Sequence, residues 1–175
     1  MNPSVEETIE FIKVMHADQT DWSGLPYWQH PVAVMNLLPP DSPLEWKLIA
    51  LLHDVIEDSK AAIAAAIGVG EEEVTVEVAM QFLRDRGYSE YVVEGVRLLT
   101  RDKSQPYEEE IARIVASGHV GAMHAKFADN THNTSEARYA VLSEAQRARA
   151  LRIRPIYEAS KAMLREGLVA LGYTV

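Results

Sequence analysis

The segment Leu51-Leu52-His53-Asp54-Val55-Ile56-Glu57-Asp58 places four ionisable side chains at the end of an apolar run. Desolvating such groups is expensive unless they have a use. On a helix His53 and Glu57 are four apart, as are Asp54 and Asp58, so the two pairs occupy neighbouring parts of one surface. Three carboxylates crowded there repel one another. A divalent cation would remove that repulsion, and neutral imidazole with carboxylate oxygen is a ligand set suited to manganese, iron or zinc. A His-Asp dipeptide alone is nearly uninformative, since a solvated helix end carries one by chance. Two further stretches add weight: His30-Pro31, where an aromatic-rich loop meets a helix, and the polar cluster Lys126-Phe127-Ala128-Asp129-Asn130-Thr131-His132-Asn133. With no cysteine in the chain, disulfides, thiolate-bound zinc and iron–sulfur clusters are excluded. Any metal must sit on His, Asp or Glu.

The elements that must carry these groups read as helices. Ser4-Val5-Glu6-Glu7 is a capping box, followed by apolar residues at helical spacing (Val5, Ile9, Ile12, Met15) to near Ala17. Turn formers fill 18–29, where Trp22, Tyr27 and Trp28 need a contact to justify them. A helix over about 31–38 stops at Pro39-Pro40, and another opens at the capping box Ser42-Pro43-Leu44-Glu45 and runs to about Asp58. Helices follow over 61–67, 74–86 (closed by Gly87), 89–99, 106–118 and 119–132. A long amphipathic helix from Ser143 to Leu171 is interrupted by Pro155. No strand pattern, repeat or linker divides the chain, so the expectation is one all-α domain over 1–175, a bundle of about eight to ten helices.

Three of these stretches, in this order, resemble the motifs of the HD hydrolase domain of Rel/SpoT proteins, especially the small stand-alone alarmone hydrolases. Gly24-Leu25-Pro26-Tyr27-Trp28-Gln29-His30-Pro31 is similar to G-x-P-Y-x-x-H-P, Ala50 to Asp58 to A-L-L-H-D-x-x-E-D, and Lys126 to Asn133 to K-L-A-D-x-x-x-N. Leu99 to Asp102 and Tyr107 to Ile114 are also similar to the stand-alone members. The resemblance implies that His30, His53, Asp54 and Asp129 ligate one divalent ion, usually manganese. It implies further that Glu57 and Asp58 position and deprotonate the attacking water, and that Asn133 binds substrate. Lys126 either meets a phosphate or closes an ion pair. The implied reaction is hydrolysis of the 3′-pyrophosphate of a guanosine 3′,5′-polyphosphate. Asp21-Trp22 stands where many Rel/SpoT hydrolases carry Arg-Lys, so adenosine analogues and other phosphorylated nucleotides stay open. Trp22 either stacks on a base or packs on the scaffold. Arg101, Lys103 and Tyr107 can hold distal phosphates or form a solvated loop, and Arg154 and Tyr157 can reach a nucleotide or form a surface stripe.

The remaining histidines read as structural. His16, His119 and His124 complete no ligand pattern, and His132, three residues after Asp129, suits an outer hydrogen bond to the site rather than ligation. A binuclear centre is poorly supported, because only two of six histidines fall at matched ligand positions. A formal charge of −9 and the lack of a Lys/Arg block argue against nucleic acid as partner. No run approaches the ~18 apolar residues of a membrane span, and the first residues resemble no leader, so a cytoplasmic location is expected, with no membrane partner and no synthetase domain. Oligomeric state is not legible. Besides the alarmone hydrolase, the sequence allows a phosphatase or nucleotidase for another nucleotide, and a non-catalytic nucleotide sensor. The intact Glu57-Asp58 pair favours an enzyme.

Overall fold

A computed structural model describes residues 2–174. Its helices are α1 (Val5–Met15), α2 (Gln29–Asn36), α3 (Leu44–Leu52), α4 (Val55–Asp58), α5 (Lys60–Ile67), a 3₁₀ turn (Glu71–Glu73), α6 (Val76–Asp85), α7 (Glu90–Leu99), α8 (Tyr107–Ala116), α9 (Val120–Asn133), α10 (Glu136–Ala140) and α11 (Glu144–Ala170). Among the described residues there is no strand, only an isolated antiparallel bridge between Thr20 and Pro26. The fold is all-α. Nine of these helices have eight residues or more, within the expected eight to ten, and α4 and α10 are single short turns.

Local chemistry explains the boundaries. At α1 the Glu7 N–H donates to Ser4 Oγ (3.1 Å) while the Ser4 N–H donates back to Glu7 Oε2 (2.7 Å), the expected capping box. Gly68 and Gly87, with φ of 76° and 89°, end α5 and α6 in a left-handed conformation that side chains resist. The apolar faces then bury α3 at the centre, where Leu48, Ile49, Ala50, Leu51 and Leu52 are all inaccessible. It lies against α1, α2, α7 and α9. Each such Leu or Ile contributes roughly 1.5–3 kcal/mol, so the helix leading into His53 is firmly seated. Small residues permit the approach: a Cβ on Gly95 or Gly121 would fall 2.5 or 2.9 Å from Ile49 Cδ1. Outside this layer α11 covers α8 and α9.

Several expectations need correction. The helix read as 42–58 breaks: α3 ends at Leu52, Asp54 has φ −102° and ψ −5°, and α4 resumes at Val55. His53 and Asp54 therefore sit at a corner between two helices. The Ser42 capping box does not form, because the helix starts one residue late with Pro43 at the cap, which leaves Ser42 Oγ buried without a partner. Pro155 does not interrupt α11. Its absent N–H would have served the carbonyl of Leu151, a residue on the exposed side of the helix, while packing holds the helix on both sides. Helix α10 went unread because five residues hold too little periodicity; its one signal is Ser135, whose Oγ accepts from the Arg138 N–H at 3.3 Å.

Candidate metal centre and its pocket

Three parts of the fold bring the anticipated ligands together: the α3–α4 corner sets His53 and Asp54 beside His30 of α2, and Asp129 of α9 approaches the two histidines. His53 Nε2 lies 2.9 Å from Asp54 Oδ2 and 3.8 Å from Asp129 Oδ1, and His30 Nε2 lies 3.8 and 3.3 Å from the same two atoms. One ligand atom each from His30, His53 and Asp54 falls within 4.8 Å of the others. The donor set fits a divalent cation. Two neutral imidazoles and two carboxylates carry a net charge of −2, which the ion would cancel. Moreover, His53 Nε2 is buried without a hydrogen-bond partner, since its short approach to Asp54 is not aligned as one. Its other nitrogen, Nδ1, meets the Ala50 carbonyl at 2.8 Å and must donate to it, which leaves a lone pair on Nε2 facing the cluster.

Neighbours hold the carboxylates in place. Tyr27 donates its hydroxyl to Asp54 Oδ2 at 2.5 Å, and Asn133 Nδ2 donates to Asp129 Oδ1 at 2.6 Å. Burial disfavours the charged forms, but the neighbours win: His53, with His30, keeps Asp54 well below the usual carboxylate range, and Lys126 and His30 do the same for Asp129. Burial also opposes a charged His53, yet Asp54 and Asp129 raise it to about 9. Burial first, then the charge of Asp54, pushes the Tyr27 phenol far above its ordinary value. Asp58 is pushed up to about 6 by partial burial and by Asp54 and Glu57, although its tip reaches solvent.

The His53 value sets a pH dependence. A ligand imidazole must be neutral, so in chelator-treated protein the ion has to displace a proton held with a pKa of about 9. Manganese affinity should fall about tenfold per pH unit below that point. Calorimetry at pH 7 in buffers of different ionisation enthalpy should report close to one proton released per ion; no release would contradict the assignment. In the metal-free chain the sign for stability is the opposite. The raised value means that the imidazolium–carboxylate contact stabilises fully below about 6.5 and fades as pH rises through about 9.

Above the cluster lies a cavity of about 310 Å³ lined by Asp21, Trp22, Tyr27, His30, Asp54, Glu57, Arg101, Tyr107, Lys126, Asp129, Asn133, Arg138 and Tyr157, among others. A larger, mainly apolar groove of about 490 Å³ between α8 and α11 holds no charged group but Glu108, so the chemistry belongs to the smaller cavity. Tyr107 and Tyr157 meet edge-on at 5.7 Å to form one wall. Trp22 lies on the rim and is tied to α11: Gln146 Nε2 donates to its carbonyl at 2.6 Å, and the Arg149 guanidinium stacks 5.0 Å from its ring. Of the anticipated phosphate contacts, Lys126 is buried between Glu110 (3.4 Å) and Asp129 (3.5 Å), and Arg101 Nε is 3.4 Å from Glu110. Lys103 pairs with Glu57 at 3.1 Å, outside the lining. Arg154 stands apart, bound to Glu136 at 3.0 Å.

Glu110 and Arg138 were not singled out by sequence reasoning, and Tyr27 was noted as a loop aromatic in need of a contact, which Asp54 supplies. Glu110 had a readable signal: Tyr107, Glu110, Ile111 and Ile114 stand at i, i+3, i+4 and i+7, so the third glutamate of Glu108-Glu109-Glu110 belongs to the inward stripe. It is buried there as the counter-ion of Arg101 and Lys126. His16, read as structural, contacts Gln19 (2.8 Å) and Ser59 (3.2 Å) behind Tyr27. His119 caps α9 through Nδ1, and His124 stacks on Trp46.

Fold and site together define an all-α protein with a candidate divalent-metal centre beneath a polar pocket. Over 126 residues the chain is 33% identical to the bifunctional (p)ppGpp synthase/hydrolase SpoT of Escherichia coli, a match covering 67% of this chain and 16% of that protein. The same identity and coverage hold for the guanosine-3′,5′-bis(diphosphate) 3′-pyrophosphohydrolase of Shigella flexneri. The chain thus spans about a sixth of the length of the curated relatives it matches. No family model matches it. This similarity supports a hydrolase-like domain of the Rel/SpoT type. No helix among the described residues is long and apolar enough to cross a membrane.

Proposed function

We propose that the chain is a metal-dependent phosphohydrolase that removes the 3′-pyrophosphate from a guanosine or adenosine 3′,5′-polyphosphate. The observation that carries this reading is the convergence of His30, His53, Asp54 and Asp129, with a buried unpartnered Nε2, directly beneath a nucleotide-sized polar cavity. In this reading the four residues hold one ion, manganese. Bound there, it would acidify water and offset charge on the phosphoryl oxygens.

The chain's own groups do the rest. Glu57, at the cavity edge, accepts the proton of the attacking water, and Asp58 beside it shares in orienting that water. The hydroxyl goes to the proximal phosphorus, the bond from that phosphorus to the 3′-oxygen breaks, and a proton restores the 3′-hydroxyl. Lys126 and Arg101, held by Glu110, face the phosphates, with Lys103 at the entrance; Asn133 holds Asp129 and reaches the substrate. Tyr107, Tyr157 and Trp22 supply aromatic surface for the nucleoside. Arg154 would need to leave Glu136 to take part.

Incubation with manganese and guanosine or adenosine 3′,5′-bisdiphosphate should release pyrophosphate and the 5′-diphosphate in equal amounts. Orthophosphate alone, or no turnover of either nucleotide, would reject the reading.

A further inference from the structure

We propose that His132 and Arg138 form an outer pair that fixes which ring nitrogen of His30 faces the metal, so that ion affinity depends on two residues that touch no ion. The proposal deepens the metal reading above and rests on it. The two ligand histidines are oriented by different means. His53 donates from Nδ1 to a backbone carbonyl, an acceptor that cannot change character. His30 has no such carbonyl; its Nδ1 faces His132 Nδ1 at 2.8 Å.

Two imidazole nitrogens at that distance require one to donate and the other to accept. If His30 accepted, its hydrogen would sit on Nε2 and point into the metal site. Arg138 joins the same contact. Its Nη1 lies 2.9 Å from His132 Nδ1 and 3.1 Å from His30 Nδ1, and a guanidinium only donates. In the proposed arrangement it donates along the shorter contact, so that His132 Nδ1 accepts, His30 Nδ1 donates to it and His30 Nε2 keeps a free lone pair towards Asp54 and Asp129. The imidazoles are stacked, with centroids 4.9 Å apart and planes tilted by 30°, which fixes the direction of the ring as well. Delivering Arg138 is a task for α10, the five-residue turn capped by Ser135. His132 and Arg138 are positioning residues in this assignment.

The test is calorimetric titration of MnCl₂ into the full chain after treatment with a chelator. His132→Phe keeps a stacking ring but removes the acceptor, and should weaken binding by about 10–100-fold. His132→Asn sacrifices the ring but places an acceptor oxygen two bonds beyond Cβ, where Nδ1 stood, and should recover most of the loss. Arg138→Met should weaken binding in the same direction by a smaller factor. Metal-free melting curves near that of the wild type would exclude general unfolding. Equal affinity of His132→Phe and wild type would overturn the pair, as would an Asn variant as weak as the Phe variant, since ring packing would then be the cause. Wild-type affinity in Arg138→Met would overturn the role of the arginine. A wild-type chain that binds no manganese, zinc or iron would overturn the metal reading itself, a distinct result.

Discussion

Replacing Asp54 by alanine should abolish measurable manganese binding at micromolar ion while leaving the helical fold intact. Asp54 is the most connected ligand: its Oδ2 is 2.9 Å from His53 Nε2 and 3.8 Å from His30 Nε2, and accepts the Tyr27 hydroxyl. Four-ligand structural zinc sites give roughly 10–16 kcal/mol; on that scale one ligand carries about 3–4 kcal/mol, or about 10²–10³ in affinity. The variant should also lose its pH response. Without Asp54 beside it, burial pulls the His53 imidazole down from its raised value, so whatever ion still binds at high concentration should release fewer protons than in the wild type. Far-UV circular dichroism controls for the fold. Manganese affinity within a few-fold of the wild type would sink the ligand assignment.

The corner that presents Asp54 shows what the sequence could and could not convey. The residue types at 53 and 54 announce a cost that needs a use, and the apolar run before them announces a buried helix; both hold, with Leu48 to Leu52 inaccessible. Periodicity did not reveal that the chain turns at His53-Asp54, because both residues keep right-handed backbone angles and the Asp58 N–H still reaches the Asp54 carbonyl at 2.8 Å. A change of direction assembled from helical angles leaves no proline or glycine mark. The consequence is geometric. His53 and Asp54 face His30 and Asp129, while Glu57 and Asp58 continue on α4 towards the 101–103 loop, where the Arg101 N–H and the Lys103 Nζ meet Glu57.

Long-range partners were less legible than types. That Lys126 could close an ion pair was foreseen, and Asp129 three residues on is one partner, but the other, Glu110, lies on another helix where local spacing cannot reveal it. Burial opposes the charge of Lys126, yet Tyr107, Asp129 and Glu110 hold its pKa well above the ordinary lysine value. Such a lysine keeps its charge in the cavity at any working pH. Trp22 packs on the scaffold, tied to α11 by Gln146 and Arg149, and also lines the cavity. Arg154 illustrates the opposite case, where three-residue spacing from Tyr157 was sound on the helix but Glu136, unseen as a helical neighbour, takes the guanidinium.

Glu57→Gln should slow turnover by about 10²–10⁴-fold with manganese affinity unchanged, the signature of a lost general base. The substitution is clean for structural reasons. Glu57 is absent from the cluster of His30, His53 and Asp54, and glutamine keeps an oxygen for the Arg101 N–H now bonded at 3.2 Å. The ion pair with Lys103 is lost, but that lysine is 72% exposed, and such pairs contribute about 0–1 kcal/mol, too little to disturb the fold. A fall in kcat therefore reports the carboxylate oxygen itself. Asp58→Asn supplies the contrast. Asp58 must be ionised to orient water, and its carboxyl is pushed up to about 6 in the metal-free protein by partial burial, Asp54 and Glu57; a cation pulls it lower, so its contribution to the acid limb of kcat should lie at or below about pH 6, move to lower pH in Glu57→Gln and be lost in Asp58→Asn, where only the limb of the base remains. Turnover of Glu57→Gln within threefold of the wild type would remove Glu57 from the chemistry and leave Asp58 as the carboxylate to which the proton must go.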